Sequence, residues 1–402
     1  MTNDNKKYIP ALRFPEFQND GEWSMDTMEN IFDIKNGYTP SKSNPSFWDN
    51  GTIPWFRMED IRKNGHILSD SIQHVTPAAV KNTGLFPAYS IIVATTATIG
   101  EHALIIVDSL ANQQFTFLTK RKSFDNKLDM MYFHYFMFII DEWCKRNTNA
   151  GGLLSVNMDS FKKLTIPYPS SLSEQKKIAD CFVSIDKEID ATKRKLELLK
   201  EHKRGLMQRL FPAKGKTAPE LRFPEFQNDG EWIPRPLSDI LNYEQPTPYI
   251  VEDDTYKKEG TPVLTANKGF ILGYTDESLG IYNKLPVIIF DDFTTDKKYV
   301  DFPFKIKSSA IKLLTLKDEE RDNLRFVFEC MNNIVFEEKE HKRYYISEYQ
   351  HINIYVPSSL QEQNQIADTL LSVDKQITEY DKKIKALELH KKGLMQQLFP
   401  KL

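Results

Sequence analysis

The chain has 402 residues, of which 40% are hydrophobic and 27% are charged, and its formal net charge is −3. This length can hold two or three globular domains, whereas the near-neutral charge excludes a uniformly basic nucleic-acid binder. The sequence has neither an apolar run of about 18 residues nor the apolar core of a signal peptide, so we expect a cytoplasmic protein. Cys144, Cys181 and Cys330 have no C-x-x-C spacing and are expected to be buried thiols, not disulfides or zinc ligands.

Two segments of the chain occur twice. Residues 10–23 and 219–232 are identical at 13 of 14 positions, and residues 171–212 match residues 359–400 at 22 of 42 positions. The stretches between the repeats, which we call head 1 (residues 24–168) and head 2 (residues 233–356), match poorly. A chain with two repeated segments and two dissimilar stretches between them indicates a symmetric scaffold that carries two different heads.

The repeats divide the chain into six predicted segments. They are an N-terminal repeat segment at 1–23, head 1 at 24–168, a first long helix at 169–212, a linker with the second repeat segment at 213–232, head 2 at 233–356, and a second long helix at 357–402.

Both heads are predicted to be mixed α/β domains with short strands. Residues 90–95 and 286–290 are rich in β-branched side chains, and the residues just before each long helix alternate between apolar and polar. Residues 130–140 are apolar all round, which predicts a buried helix. Its His134 is expected to be a satisfied core residue, not a ligand.

A sustained heptad pattern follows each head and predicts a long coiled-coil helix. The apolar seam of the first helix consists of Ile178, Phe182, Ile185, Ile189, Leu196, Leu199, Leu206 and Leu210. The seam of the second consists of Ile366, Leu370, Val373, Ile377, Ile384, Leu387, Leu394 and Leu398. Thr192 and Lys203 interrupt the first seam where Tyr380 and Lys391 interrupt the second, and we interpret these polar positions as setting the register.

The lengths of the segments favour one arrangement. A helix of about 38 residues is about 57 Å long, whereas the linker at residues 213–218 spans only about 20 Å. Head 2 therefore begins near the C-terminal end of the first helix and ends where the second helix begins. The predicted fold class is α+β: two mixed α/β domains joined by two long antiparallel coiled-coil helices, with internal pseudo-two-fold symmetry.

The sequence patterns of common catalytic sites are absent: we find no H-E-x-x-H, no G-x-S-x-G and no G-x-G-x-x-G after a strand. Residues 215–217 resemble the end of a phosphate-binding loop, but Leu210 stands where that loop requires glycine. The acid pair Asp291 and Asp292 lacks a well-placed lysine and is expected in a solvated turn. We therefore predict no catalytic residue and no metal site, and we do not expect the chain to be an enzyme by itself.

The arrangement resembles a known family. Two variable heads, each followed by a helix that opens with P-x-x-L-x-E-Q-x-x-I-A-D, resemble the specificity subunit of type I restriction-modification systems. In head 1, residues 37–41 (GYTPS), 53–55 (IPW) and 95–100 (TTATIG) look like a pattern common in the target recognition domains of that family. Head 2 departs from the pattern, since only residues 293–295 echo the threonine-rich turn.

The resemblance implies a role within a complex. Each head would read one half of a bipartite, asymmetric target in double-stranded DNA, and the helices would set the spacer between the halves. Two modification subunits would dock on the helical region and bring S-adenosylmethionine and adenine-N6 methyl transfer. Two restriction subunits, with ATP- and Mg-dependent translocase and nuclease activity, would complete a type I site-specific endonuclease. The chain itself would bind neither cofactor.

The candidate DNA-contacting residues are hydroxyl, amide and basic side chains in predicted loops, because these groups pair with base edges and phosphates. In head 1 they are Thr39, Ser41, Lys42, Arg57, Arg62, Lys63, Thr95, Thr96, Thr98, Asn112, Gln113 and Gln114. In head 2 they are Thr265, Asn267, Lys268, Thr294, Thr295, Lys297, Lys298, Tyr299, Lys342 and Arg343. The near-neutral charge leaves one alternative open, a pseudo-symmetric protein–protein adaptor that binds no DNA.

Overall fold

The computed structural model describes residues 10–149, 154–267, 269–337 and 342–400. The chain divides into unit 1, which comprises Met1–Thr192 with Lys383–Leu402, and unit 2, which is Lys193–Lys382. The boundary falls inside both long helices, so each unit contains one head and a part of each helix. Within the described ranges, no helix combines the length and the apolar character needed to cross a membrane.

Unit 1 contains head 1. Its strands are β1 (Ser24–Thr27), β2 (Phe32–Asn36), β3 (Ile53–Phe56), β4 (Ile67–Leu68), β5 (His74–Val75), β6 (Ser90–Ala94), β7 (His102–Ile105), β8 (Leu110–Ala111), β9 (Phe115–Lys120) and β10 (Thr165–Tyr168). Its helices are α1 (Met28–Ile31), α2 (Met58–Asn64), α3 (Met130–Arg146) and α4 (Met158–Lys162), and the first long helix is α5 (Leu172–Leu210).

Unit 2 contains head 2. Its strands are β11 (Ile233–Pro236), β12 (Leu241–Glu244), β13 (Thr261–Leu264), β14 (Ile271–Thr275), β15 (Val287–Asp291), β16 (Lys297–Val300), β17 (Lys305–Ile306), β18 (Ile311–Leu316) and β19 (Asn353–Val356). Its helices are α6 (Leu237–Ile240) and α7 (Leu324–Asn332), and the second long helix is α8 (Leu360–Leu398).

The two heads share one strand order although their sequences match poorly. Head 1 has a sheet in the order β2-β9-β6-β7-β4 and head 2 has one in the order β12-β18-β15-β16, so β4 is the additional strand of head 1. A smaller sheet is ordered β5-β3-β8 in head 1 and β14-β13-β17 in head 2, with one antiparallel and one parallel pairing in each case. The predicted α+β class, with two mixed α/β heads and two long helices, is confirmed.

The long helices run antiparallel within each unit. In unit 1, Phe399 near the end of α8 stacks on Phe182 near the start of α5, with ring centroids 5.6 Å apart. In unit 2, Leu210 and Phe211 at the end of α5 share a buried cluster with Ile366 near the start of α8. The predicted seam positions of both helices are all buried or partly buried. The largest hydrophobic cluster of each unit therefore combines its head with the ends of both helices.

The two lysines that interrupt the seam form equivalent ion pairs. In unit 1, Lys391 Nζ lies 2.6 Å from Asp186 of the facing helix. In unit 2, Lys203 Nζ lies 2.7 Å from Asp374 of its facing helix. Both lysine side chains are about four-fifths buried, at 19% and 22% exposure. The ammonium groups therefore sit in the seam with a carboxylate partner, and each pair joins one antiparallel helix to the other.

The repeated segments 10–23 and 219–232 join each head to the start of a long helix. Arg13 makes two bonds of 2.7 Å to the Glu174 carboxylate, and Arg222 makes two bonds of 2.8 Å to Glu362. Both glutamates are 1% exposed and belong to the E-Q pair of the helix-opening motif. The adjacent glutamine also bridges, since its side-chain oxygen accepts the backbone N–H at the N-cap of the head helix, at Asp129 in unit 1 and at Asn323 in unit 2.

Three sequence expectations are wrong. Asp291 and Asp292 are 6% and 1% exposed instead of solvated, and Asp292 pairs with the buried Lys312 at 3.2 Å. His134 is buried but not satisfied, because its Nδ1 has no hydrogen-bond partner among the described residues. Cys181 is only partly buried, because it lies on a half-exposed position of α5.

Candidate nucleic-acid interface

The turn at residues 95–100 links β6 to β7 and carries the candidates Thr95, Thr96 and Thr98 of head 1. Thr95 is 7% exposed, and its hydroxyl lies 3.0 Å from that of Thr116 on the neighbouring strand. Ala97 has a φ of 62°, a conformation that favours glycine and costs about 1 kcal/mol or more in other residues. Gly100 packs so closely on the backbone of Asp141 that a Cβ would stand 2.7 Å from its carbonyl oxygen. The turn is therefore held in one conformation by its contacts with β9 and α3.

Residues 112–114, between β8 and β9, brace this turn. The Gln114 side-chain amide donates to Thr98 Oγ1 at 2.8 Å and to the Thr96 carbonyl at 3.3 Å. The Thr95 backbone N–H donates to the Gln114 carbonyl at 3.2 Å. Thr95, Thr96, Thr98 and Gln114, which come from two separate loops, thus form one hydrogen-bond network. Asn112 is half-buried and Gln113 is exposed.

The loop after β2 joins the same surface. The Tyr38 backbone N–H donates to the Ala111 carbonyl at 2.8 Å, and the Thr39 hydroxyl donates to the side-chain oxygen of Gln113. A Cβ at Gly37 would collide with the carbonyls of Ala111 and Asn112, so this close approach requires glycine. Ser41 and Lys42 continue the loop and are exposed.

The loop after β3 brings Arg57 to this surface, and Arg62 and Lys63 follow it in helix α2. The Asn112 backbone N–H donates to the carbonyl of Phe56, so the next residue, Arg57, adjoins residues 112–114. Its guanidinium lies 3.1 Å from Glu59 and over the Trp55 ring. Arg62 and Lys63 are exposed in the last turn of α2.

In head 2, the turn between β15 and β16 occupies the corresponding place. The Asp291 carboxylate accepts the backbone N–H groups of Phe293 and Thr294 at 2.9 and 3.0 Å. Thr295 has a positive φ of 53°, and the turn of head 1 likewise contains a positive φ, 62° at Ala97. The Thr294 hydroxyl donates to the Asn267 side chain at 3.2 Å, which joins this turn to the loop after β13. Thr265 opens that loop and is half-buried, and Lys268 lies outside the described residues.

The three candidates on β16 differ in what they face. Lys297 Nζ lies 5.7 Å from the Tyr349 ring, and burial lowers the pKa of its ammonium group. The Tyr299 ring packs against Phe328 and the Arg325 guanidinium of α7, and burial raises the pKa of its phenol. Lys298, between them in the strand, is half-exposed and points to the other face of the sheet. Tyr299 therefore packs on the helix side, away from the turn.

Arg343 returns to the turn of head 2 from the segment after α7, and Lys342 precedes it in that segment. The Arg343 guanidinium lies 5.8 Å from the ring of Phe293, and both side chains are exposed. Lys342 Nζ lies 2.6 Å from Glu348. The Tyr344 backbone N–H, one residue further on, donates to the Asp292 carbonyl at 2.8 Å and fixes this approach.

Beneath the turn of head 1 lies a group of buried imidazoles whose members are far apart in the sequence. His102 Nδ1 lies 2.6 Å from Asp141, and its Nε2 lies 3.1 Å from the carbonyl of His134. Burial lowers the pKa of His134 well below its usual range and raises the pKa of Asp141. The apolar residues around His134 were the only sign of this group in the sequence. His102 lies in the separate strand β7, so no local pattern joins it to His134. Among the described residues, no cluster of three or more histidine, cysteine or acidic side chains is arranged to hold a metal ion.

Known proteins with sequences similar to this chain are specificity subunits of type I restriction enzymes. The family model described as the type I restriction modification DNA specificity domain matches residues 20–201 and again residues 229–389. The EcoprrI type I restriction enzyme specificity subunit of Escherichia coli is 49% identical over 152 residues, which are 38% of this chain and 38% of that protein. The EcoR124I/EcoR124II specificity subunit of the same organism is 49% identical over 146 residues, which are 34% of this chain and 36% of that protein. Each alignment therefore covers well under two thirds of the relative.

A solved structure resembles nearly the whole chain. The type I restriction-modification system S subunit from M. genitalium matches with a TM-score of 0.67 and 15% sequence identity. The match covers 98% of this chain and 99% of that one. At this level of identity, the likeness concerns the fold alone.

Proposed function

Because the chain belongs to the family of type I restriction modification DNA specificity domains, which it matches in two copies, we propose that it is the DNA-specificity subunit of a type I restriction-modification complex. In this role it carries no catalytic residue. It binds double-stranded DNA with a bipartite, asymmetric target, and each head contacts one half of that target. Head 1 (residues 24–168) and head 2 (residues 233–356) are its two target recognition domains.

One observation carries this proposal: the two heads share a strand order and present different polar side chains at the same turn. After β6, head 1 has the turn with Thr96 and Thr98, and after β15, head 2 has the turn with Thr294 and Arg343 beside it. Hydroxyl, amide and guanidinium groups are the usual partners of base edges and phosphates. Two unlike half-sites can be read by two heads of the same strand order that carry different contacting side chains.

The helices have the second role. We propose that the predicted helical segments, residues 169–212 and 357–402, set the number of unread base pairs between the half-sites and dock two modification subunits. Support comes from the length of α5 and α8, 39 residues each, and from the ion pairs that fix their register inside each unit. A packed pair of helices keeps a fixed length where a flexible linker would not.

The chemistry of the complex belongs to its partners in this proposal. The modification subunits would bind S-adenosylmethionine and transfer the methyl group to adenine N6, and two restriction subunits would use ATP and Mg for translocation and cleavage. This chain supplies no cofactor site. Its net charge of −3 also indicates that the modification subunits contribute much of the positive charge that meets DNA phosphates. Such a complex would meet its DNA in the cytoplasm.

The test combines binding with methylation. The chain is purified together with its modification subunits, and affinity is measured at a fixed moderate salt concentration on DNA with and without the motif that methylome sequencing finds in cells expressing the chain. We expect one bipartite adenine-methylated motif and at least 1,000-fold tighter binding to it than to unrelated DNA.

An exchange of residues 24–168 for the corresponding head of a different family member serves as the internal control. It should change one half of the motif and leave the other half unchanged. Equal affinity for every sequence, with no methylated motif, would instead favour a protein–protein adaptor. Cleavage or methyl transfer by the purified chain alone would contradict its assignment as non-catalytic.

A further inference from the structure

The segment that follows the head helix lies against the turn after β6 in head 1 and against the turn after β15 in head 2, and in head 1 it contributed no candidate residue. In head 1, the Val156 backbone N–H donates to the carbonyl of Thr95, the first residue after β6, at 2.9 Å. In head 2, the Tyr344 backbone N–H donates to the carbonyl of Asp292, the first residue after β15, at 2.8 Å. Val156 and Tyr344 are therefore equivalent positions, although no sequence match joins them.

This equivalence carries over to the preceding residue. Arg343 precedes Tyr344 and lies over the Phe293 ring in the turn of head 2. Ser155 precedes Val156 and forms an antiparallel bridge with Thr96 in the turn of head 1. The place that a guanidinium occupies in head 2 is thus occupied in head 1 by a short hydroxyl side chain.

Residues 147–149, directly after α3, bring an amide to this place. The Asn149 backbone N–H donates to the Ser155 carbonyl at 2.9 Å, and its side-chain amide lies 3.4 Å from the Ser155 hydroxyl. The Asn157 backbone N–H closes the pairing by donating to the Asn147 carbonyl at 3.0 Å. Asn149 is exposed, so its amide extends the edge formed by the Thr96 turn.

We infer that Asn149 is a base-contacting residue of head 1, with Ser155 orienting its amide, and that it contacts the same half-site as the turn at residues 95–100. The carboxamide offers one donor and one acceptor side by side, which matches the N6 and N7 edge of adenine in the major groove. The backbone bonds hold the two residues in place, and the bond to the Ser155 hydroxyl uses one of the two N–H donors of the Asn149 amide, so that the other N–H and the side-chain oxygen can meet a base edge. This inference rests on the proposed DNA-reading function and adds a residue to it.

The test compares Asn149→Ala with Asn126→Ala in the complex with its modification subunits. Asn126 is also an exposed asparagine of head 1, but it precedes α3 whereas Asn149 follows it, and the 17 residues of that helix span about 25 Å. We expect Asn149→Ala to weaken binding to the methylated motif by about 5- to 150-fold, the range of one bidentate base contact. The same variant should relax one base position in the half-site of head 1, and Ser155→Ala should produce a smaller effect at that position.

The controls separate the possible failures. Asn126→Ala should keep the motif and the affinity of the parent chain, and circular dichroism should show unchanged folding for all variants. If Asn149→Ala keeps both the motif and the affinity within twofold, or weakens binding equally on every sequence, the inference is wrong while the proposed function stands. If the parent chain itself yields no bipartite motif, the proposed function fails instead.

Discussion

At the scale of single residues, the candidates differ in what they already bind. The side chains of Gln114 and Thr95 form hydrogen bonds within the protein. Gln114 bonds to Thr98 and to the Thr96 carbonyl, and Thr95 bonds to Thr116. Lys42 and Asn149 are exposed, as is Gln113 despite its bond from Thr39. The first group fixes the shape of the loops, and the second group can meet a ligand.

The sequence could suggest the residue types of this surface, but not their division of labour. Thr95 and Thr96 are neighbours of the same type, and only the burial of one beside Thr116 separates them. Asp292 looked like half of a solvated acid pair because its partner, Lys312, lies 20 positions further on in an adjacent strand. Contacts that depend on strand pairing are not encoded in local spacing, which is why Asn149 was also missed.

The buried His134 makes the stability of unit 1 depend on pH. Burial holds the pKa of this imidazole well below its usual range in the folded chain, whereas the unfolded chain takes up a proton near pH 6.5. Protons therefore bind the unfolded state preferentially, and the free energy of unfolding falls as the pH drops through about 6.5, by up to about 1.4 kcal/mol per pH unit. Urea unfolding of the parent chain and of His134→Phe at pH 7.5 and 5.5 measures this loss, which should be smaller in the variant.

A second group works in the opposite direction and needs a control. Burial raises the pKa of Asp141, so its contribution to stability is present at low pH and is lost as the pH rises. Comparison at two pH values isolates His134, because Asp141 is present in both proteins. His351→Ala, at an exposed position of unit 2, should keep the parent's dependence. Equal losses in the parent and in His134→Phe would show that His134 is not the source.

At the scale of elements, the helices were the most predictable part of the fold. The heptad seam follows directly from the period of apolar residues, and α5 and α8 lie inside the predicted helical segments. Lys203 and Lys391 were recognised as interruptions of the seam, but their partners Asp374 and Asp186 were not. A pattern within one helix contains no information about which residue of the other helix faces it.

The repeated arginines contribute much of the attachment of each head to its helix. Arg13→Ala would leave the Glu174 carboxylate, which is 1% exposed, without its bidentate partner. Removing one partner of a buried pair costs about 3–5 kcal/mol, so urea unfolding should show a loss of this size in unit 1. Arg222→Ala should have the same effect through Glu362 in unit 2.

A surface pair beside this contact gives the matched control. Lys177 and Glu16 lie 3.0 Å apart with about half of each side chain exposed, and such pairs contribute less than about 1 kcal/mol. Lys177→Ala should therefore change the free energy of unfolding by less than a third of the effect of Arg13→Ala. Similar losses from both substitutions would mean that the buried bidentate bond has no special importance.

At the scale of the whole molecule, the repeats predicted two heads and two helices, and these are present. The common strand order of the heads was not predictable, because equivalent positions carry unlike residues, such as Thr95 and Asp292 or Ser155 and Arg343. Sheet order survives such replacement since it depends on buried apolar faces and backbone pairing. The polar residues on the surface are then able to differ completely between the heads.

The proposed spacing role of the helices makes a prediction about the target. A seven-residue insertion after Leu199 and another after Leu387 keeps the heptad seam and adds about 10 Å to each helix. Each insertion lies between the two seam ion pairs of its helix, so Lys203 with Asp374 and Lys391 with Asp186 remain intact. Methylome sequencing should find both half-sites unchanged and the spacer longer by about three base pairs, at about 3.4 Å per base pair.

A two-residue insertion at the same two points is the control. At about 100° per residue it turns the seam by about 200°, away from the facing helix, so it should abolish methylation instead of lengthening the spacer. A changed half-site with an unchanged spacer would show that the roles proposed for the heads and for the helices are wrong.

The division of the chain between the two units affects the order in which they are completed during synthesis. Unit 2 is one continuous stretch, Lys193–Lys382, whereas unit 1 needs residues 383–400, which supply Phe399 to its core and a bond from the Leu12 backbone to the Gln397 carbonyl. On the ribosome, unit 1 therefore cannot be completed until the last part of α8 has emerged, although head 1 is translated first. Unit 2 is complete earlier, as soon as Lys382 has emerged. Until α8 is complete, the aromatic surface of head 1 that receives Phe399 stays uncovered, and an uncovered apolar surface is what chaperones bind in a nascent chain.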